Sequence, residues 1–350
     1  MPCQAGRSNF EGEPQVRLNF VAACLLAMVA TGANAQNITA AGATFPYPIY
    51  NKWFTEYNQI HPNVKINYQS IGSGGGITQT SEGTVDFGAS DMPVTDDKIA
   101  AAKVKFMHIP TVLGAVVPIY NIPGVSKVLN FSGDVIADIY LGKITKWNDP
   151  RLVKDNPGAN LPDTAILPVY RSESSGTTFI FTDYLSKVSP AWKTTVGNNS
   201  AVKWPAGIGA KGNEGVAGMV RQTPGSLGYV ELIYALSNNM SYGAVKNAAG
   251  KFLQGSPEGV TAAAAAASKT MPADYRVSIT NAPGAASYPI SSFTYLLIPL
   301  KFADPAKGAA VKEFLNWMLE HGESEAAGMH YAPLPAQVQA MVKKTIATIK

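Results

Sequence analysis

The sequence predicts an α/β protein with largely parallel sheets. Two observations predict it. Strand-like and helix-like apolar spacings alternate along nearly the whole chain. Three times, a strand pattern runs into a short stretch of Gly, Ser or Thr and then into a helix pattern: "GATFPYP" at 42–48, "GSGGG" at 72–76 and "SSGTT" at 174–178.

The elements follow in order. "PIYNKWFTEYNQ" puts Tyr50, Trp53, Phe54 and Tyr57 on one helical face, with Pro46 and Pro48 near its start. "VKINYQSI" alternates as a strand does, and "GSGGGITQTSEG" turns into a short helix. "TVDFGASD" is a strand, "VTDDKIAAAK" a helix and "MHIPTVLGAVVPIYN" a long apolar strand. "VIADIYLGKITKW" is helical, "AILPVYR" a strand, and Ser175 begins the helix "GTTFIFTDYLSKV". "GSLGYVELIYA" and "SSFTYLLIPL" are later strands. Asp304-Pro305, a cap followed by proline at the first helical position, opens a helix with Val311, Phe314, Leu315, Met318 and Leu319 on one face. The alanine run at 262–267 is helix or a solvated turn.

Composition narrows the class. The 350 residues are 46% hydrophobic and 15% charged, which is globular and long enough for one large or two medium domains. A net charge of +4, with no like-charge block, argues against a nucleic-acid partner. Near the start, Arg17 precedes the apolar run "LNFVAACLLAMVATG", which ends in Ala33-Asn34-Ala35. A basic residue, a run too short to span a bilayer and an A-x-A ending describe a signal peptide over residues 1–35. Its removal takes both cysteines, Cys3 and Cys24, which excludes disulfides and thiol chemistry in the mature chain. The expected location is a bacterial periplasm.

Each Gly/Ser/Thr loop ahead of a helix offers free N–H groups and a partial positive charge, a ready anion site. One such loop is usually only a cap, but three of them beside Arg171 point to convergence. Enzyme motifs fail. Gly76 is followed by Ile77, where a Walker loop needs lysine, and Ile71 breaks a G-x-S-x-G elbow at Ser73. His61, His108, His321 and His330 show no metal-ligand spacing. Asp86 and Asp91, as a hydrolase pair, would more often face opposite sides. No metal, cofactor or catalytic residue is expected.

"AGATFPYPIYNKW", "IGSGGG", "TVDFGASDMP", "RSESSGTTFIFTDYL", "KGNEGVAGMV" and "GSLGYVE" occur in that order. Over residues 38–345 the chain closely resembles the periplasmic phosphate-binding proteins of bacterial phosphate-specific ABC transporters. The resemblance implies a type II periplasmic-binding-protein fold, two α/β lobes with a ligand cleft between them. Residues 36–113 and 288–350 would form lobe I and residues 114–287 lobe II. It implies inorganic phosphate as ligand, permease subunits and an ATPase as partners, and a monomer. It carries over the contacts Thr44, Phe45 (backbone N–H), Ser73, Asp91 (accepting a phosphate proton), Arg171, Ser175, Gly176 and Thr177. Two positions depart from some relatives: Glu173 replaces Asp beside the arginine, and Gly74 replaces a second serine. The competing readings are a receptor for another oxyanion such as sulfate or molybdate, a secreted phosphatase or esterase using Ser73 or Thr44, and an adhesive surface protein.

Overall fold

The computed structural model describes residues 35–349. The expected signal peptide, Ala35 excepted, and both cysteines lie outside the described residues. The chain opens with β1 (Gln36–Gly42), α1 (Tyr47–Ile60), β2 (Val64–Ser70), α2 (Ser73–Glu82), β3 (Phe87–Ser90), α3 (Asp96–Ala101) and the long β4 (Phe106–Tyr120). Its middle holds β5 (Asn130–Phe131), α4 (Gly133–Tyr140), α5 (Pro150–Asp155), β6 (Leu167–Arg171), α6 (Gly176–Val188), α7 (Pro190–Thr195), β7 (Ile208–Ala210), α8 (Gly212–Gln222), β8 (Ser226–Glu231) and α9 (Leu232–Ser237). It closes with β9 (Ser241–Tyr242), β10 (Ala244–Lys246), β11 (Phe252–Leu253), α10 (Pro257–Lys269), β12 (Ser291–Pro299), α11 (Pro305–Glu320) and α12 (Ala336–Ala347).

Most elements follow from local chemistry. Tyr50, Trp53, Phe54 and Tyr57 are buried on the inner face of α1, and Phe54 meets Phe314 of α11 at 5.3 Å between ring centres. The Asp304 carboxylate accepts from the Ala306 and Lys307 N–H groups, so the Asp-Pro start of α11 forms as its sequence dictates. The alanine run lies inside α10, capped by Ser256.

Three expectations need correction. The main sheet, in the order β2-β1-β3-β12-β4-β8-β6-β7, is mixed rather than largely parallel. Its two flanks are parallel, but β12 runs antiparallel to both β3 and β4, and β8 antiparallel to β4. The helix at "VIADIYLGKITKW" stops at Tyr140, because Gly142 turns the backbone left-handed (φ 73°). The strand at "GSLGYVELIYA" ends at Glu231, whose carboxylate caps α9 by accepting from the Ile233 N–H.

The register of β4 positions everything that follows. Its first ten residues lie against β12, and Val116–Tyr120 lie against β8. The carboxyl end of β3 therefore points one way along β4 and the carboxyl end of β8 the other way. The two ends meet beside Gly114. A Cβ on Gly114 would lie 2.6 Å from the Phe45 ring and 2.9 Å from Glu231 Oε1, so groups following β1 and ending β8 converge there. In sheets of this kind ligands sit outside the carboxyl ends of strands.

Candidate functional site

All eight expected residues lie at these converging ends, and none is exposed. Thr44 and Phe45 follow β1, Ser73 opens α2 after β2, and Asp91 follows β3. Arg171 ends β6, and Ser175, Gly176 and Thr177 form the start of α6. The two groups are in direct contact. A Cβ on Gly176 would lie 2.4 Å from both Asp91 Oδ2 and Ser73 Oγ, and the Gly74 N–H donates to Ser174 O at 3.0 Å. A serine in place of Gly74 would meet the Ser174 side chain, since a Cβ there lies 2.4 Å from it. This close approach accounts for the glycine.

The four hydroxyls share one property. Each already accepts an N–H from the protein. Thr44 Oγ1 accepts from Asn213 Nδ2 at 2.7 Å, Ser73 Oγ from the Asp91 N–H at 3.1 Å and Ser175 Oγ from the Thr178 N–H at 3.2 Å. Thr177 Oγ1 accepts from Arg171 Nη1 and Asn213 Nδ2, both at 3.2 Å. A hydroxyl whose lone pair is engaged has its proton to give. Among the described residues, only Ser73 has an acceptor for that proton, Asp91 Oδ2 at a long 3.3 Å. The Gly176 and Thr177 N–H groups at the start of α6 add donors that have no intrahelical partner.

Charge is arranged around these donors. The Arg171 guanidinium is buried. Nε donates to Glu173 Oε1 at 2.9 Å, and Nη2 bonds the same oxygen. Glu173 Oε1 also accepts from the Gly212 N–H at 3.1 Å. The glutamate thus fixes one edge of the guanidinium while Nη1 stays on Thr177. Asp91 places a carboxyl group among these donors. Thr294 Oγ1 donates to its Oδ1 at 2.7 Å, and Oδ2 faces Ser73 and Gly176. Burial pushes its carboxyl up to about 7, against lowering by Thr294, the Arg171 charge and Ser73. Asp86 belongs elsewhere: it accepts from Thr39 and pairs with Lys307, so the two aspartates are not a catalytic pair.

A family model of the PBP superfamily domain matches residues 28–321. The chain is 48% identical over 299 residues to the phosphate-binding protein PstS of Xylella fastidiosa, covering 85% of this chain and 81% of that protein. It is 38% identical over 335 residues to PstS of Methanocaldococcus jannaschii, covering 89% and 86%. The chain belongs to the PstS phosphate-binding protein family. Solved structures share the fold. A high-affinity periplasmic phosphate-binding protein (PfluDING) bound with phosphate superposes with a TM-score of 0.69 at 22% identity, covering 88% of this chain and 93% of that one. The phosphate-binding protein from Stenotrophomonas maltophilia gives 0.67 at 19%, covering 89% and 94%. The type II periplasmic-binding-protein fold expected from the sequence is thus the fold of this PstS family member.

Several groups at the site escaped sequence reasoning. Asn213 and Thr294 bond to the expected residues directly, and Tyr234 donates to Thr44 O at 2.6 Å. Asn213 had a signal: "IGAKGNEG" is a fourth strand–glycine–helix junction, where β7 meets α8. Thr294 lies inside a buried strand with nothing local to mark it. It sits at a bulge in the β4–β12 pairing, where such irregularities redirect side chains. His108 is a core residue. Its Nε2 accepts from the Val94 N–H at 3.0 Å and so steadies the loop after Asp91, while burial lowers its pKa to about 4. Among the described residues no group of three or more His, Cys, Asp or Glu side chains is arranged to hold a metal.

The raised Asp91 value has a stability consequence. Folded and unfolded values of about 7 and 3.8 mean that the native site resists ionisation. The penalty is absent below the unfolded value, grows as pH rises between the two and is complete above about 7. At about 1.4 kcal/mol per unit it is at most on the order of 4 kcal/mol. Glu323 shifts the same way, and His108 loses stability on acidification, so the test is a difference. Without ligand, Asp91→Asn is expected to gain stability over the parent as pH rises from 5 to 8. Denaturant melts at each pH measure it. A constant gap would contradict the buried-carboxyl reading.

Proposed function

We propose that this chain is a periplasmic receptor that binds inorganic phosphate and delivers it to the permease and ATPase of an ABC importer. The carrying observation is the polarity of the site: four buried hydroxyls and a helix start offer donors, one guanidinium adds charge, and a single carboxylate is placed to accept. Such a set complements an oxyanion that still carries a proton. Hydrogen bonds to charged groups contribute about 1.5–3 kcal/mol each. Several of them, less ordering costs, support a Kd near micromolar, about −8 kcal/mol. The names of the relatives point to the same ligand. The two flanks of the sheet correspond in this reading to lobe I (36–113 and 288–350) and lobe II (114–287), with phosphate held between them. The A-x-A ending at Ala35 marks the exported precursor's cleavage, and no helix among the described residues is long and apolar enough to cross a membrane.

Calorimetric titration of the mature protein with phosphate and with sulfate tests the proposal. Phosphate is expected to bind and sulfate to fail. Equal binding of both would favour a general oxyanion receptor, and turnover of an aryl phosphate would favour the hydrolase reading. In the same assay Gly176→Ala is expected to weaken phosphate, because its methyl would lie 2.6 Å or less from the Asp91 and Ser73 side chains. Overpacking of this kind costs about 1–3 kcal/mol, roughly five- to hundredfold in affinity. Unchanged affinity would mean that the two groups are not pressed together when ligand is bound.

A further inference from the structure

We propose that Asn213 is a positioning residue that makes the Thr44 and Thr177 hydroxyls donors toward the anion. The inference rests on the phosphate-receptor reading and deepens it. Asn213 is wholly buried as the second residue of α8. Its amide orientation is set by chemistry: Oδ1 accepts from the Glu231 backbone N–H at 3.0 Å, a group that can only donate. The NH2 must therefore face the other way. There it meets Thr44 Oγ1 at 2.7 Å and Thr177 Oγ1 at 3.2 Å, one hydroxyl from each of the two converging groups.

A threonine hydroxyl is ambivalent by itself, able to donate or accept as it rotates. A ligand rich in acceptors needs only its donor side. By donating to both oxygens, Asn213 occupies the lone pairs that would otherwise turn toward the ligand and leaves each proton free. Thr177 receives a second such donor in Arg171 Nη1, and Thr44 has Asn213 alone among the described residues. The effect on Thr44 is therefore the larger. Asn213 need not touch the ligand; it acts through the two hydroxyls.

A double-mutant cycle with phosphate calorimetry tests this, using the full mature chain and the variants Asn213→Ala, Thr44→Val and their combination. Asn213→Ala is expected to weaken phosphate by about tenfold, the scale of one lost oriented hydrogen bond. In the Thr44→Val background, where the hydroxyl is gone, the same change is expected to cost about threefold or less, because coupled sites are not additive. Equal losses in both backgrounds, or none in either, would overturn the proposal and leave Asn213 as scaffolding for α8. If Asn213→Ala does not fold, the cycle is run with Asn213→Asp, which keeps the acceptor for Glu231. There too, equal losses overturn the proposal, since a charge acting directly on the ligand adds independently of Thr44. The parent titration separates the two levels: a parent that fails to bind phosphate removes the receptor reading, whereas a binding parent with additive variants removes only the role of Asn213.

Discussion

Asp91→Asn is expected to admit sulfate while leaving phosphate bound. A carboxylate among anion-binding groups is explained in this reading by the ligand's proton. Near neutral pH phosphate keeps at least one O–H, and Asp91 can accept it in a short charge-assisted bond. Thr294 already holds Oδ1, so Oδ2, directed at the start of α6, is the oxygen available. Sulfate has no proton to offer. Two unit charges about 4 Å apart at an effective dielectric near 20 repel by roughly 4 kcal/mol, more than it costs to protonate a carboxyl near 7, so sulfate would bind the protonated form and its penalty at pH 8 is about tenfold in affinity. The discrimination comes from a clash with the competitor as much as from attraction to the ligand. The raised Asp91 value adds a second readout: as pH falls below about 7 the parent's own carboxyl takes up a proton, and its sulfate affinity is expected to climb. The asparagine variant's sulfate affinity is expected to stay flat. Competition titrations at pH 6 and pH 8 measure both effects. A variant that rejects sulfate as strongly as its parent would mean that Asp91 serves its loop rather than the ligand.

Arg171→Ala carries the other large expected effect. The guanidinium is buried, and it is the cation within the ring of donors. Removing one partner of a buried, hydrogen-bonded charge pair costs about 2–5 kcal/mol, roughly thirtyfold to several thousandfold in phosphate affinity. The structure also names an aggravating term. Glu173 would be left without its guanidinium partner, holding the Gly212 N–H as its remaining hydrogen bond among the described residues. Arg171→Ala with Glu173→Gln is therefore expected to bind phosphate better than Arg171→Ala alone. Titrating the three proteins decides it. Parental affinity in Arg171→Ala would show that the arginine serves only as the glutamate's partner.

The sequence by itself determined the parts of this site that depend on neighbours along the chain. A strand ending in Gly, Ser or Thr before an apolar helix is a short-range pattern, and it marked the loops at 42–48, 72–76 and 174–178 as candidate anion sites, while the individual contacts within them were implied by the family resemblance. Capping has the same range, so Ser175 and Asp304 begin their helices as written. What only the tertiary structure decided is which of these ends meet. Asn213 reaches Thr44 across 169 positions, and Thr294 reaches Asp91 across 203. No local periodicity encodes such pairs. The same limit explains the sheet. Strands buried on both faces lack the in/out alternation of half-buried ones, so β4 and β12 carry no local signal that distinguishes a parallel from an antiparallel neighbour. It also explains the end of β8, where a continuous apolar run turns from strand to helix at a buried glutamate cap. The two carboxyl ends face each other because β4 is long enough to pair with β12 along one part and β8 along the other. That register is set by packing over the whole sheet, and the facing donors on either side of the site are its consequence.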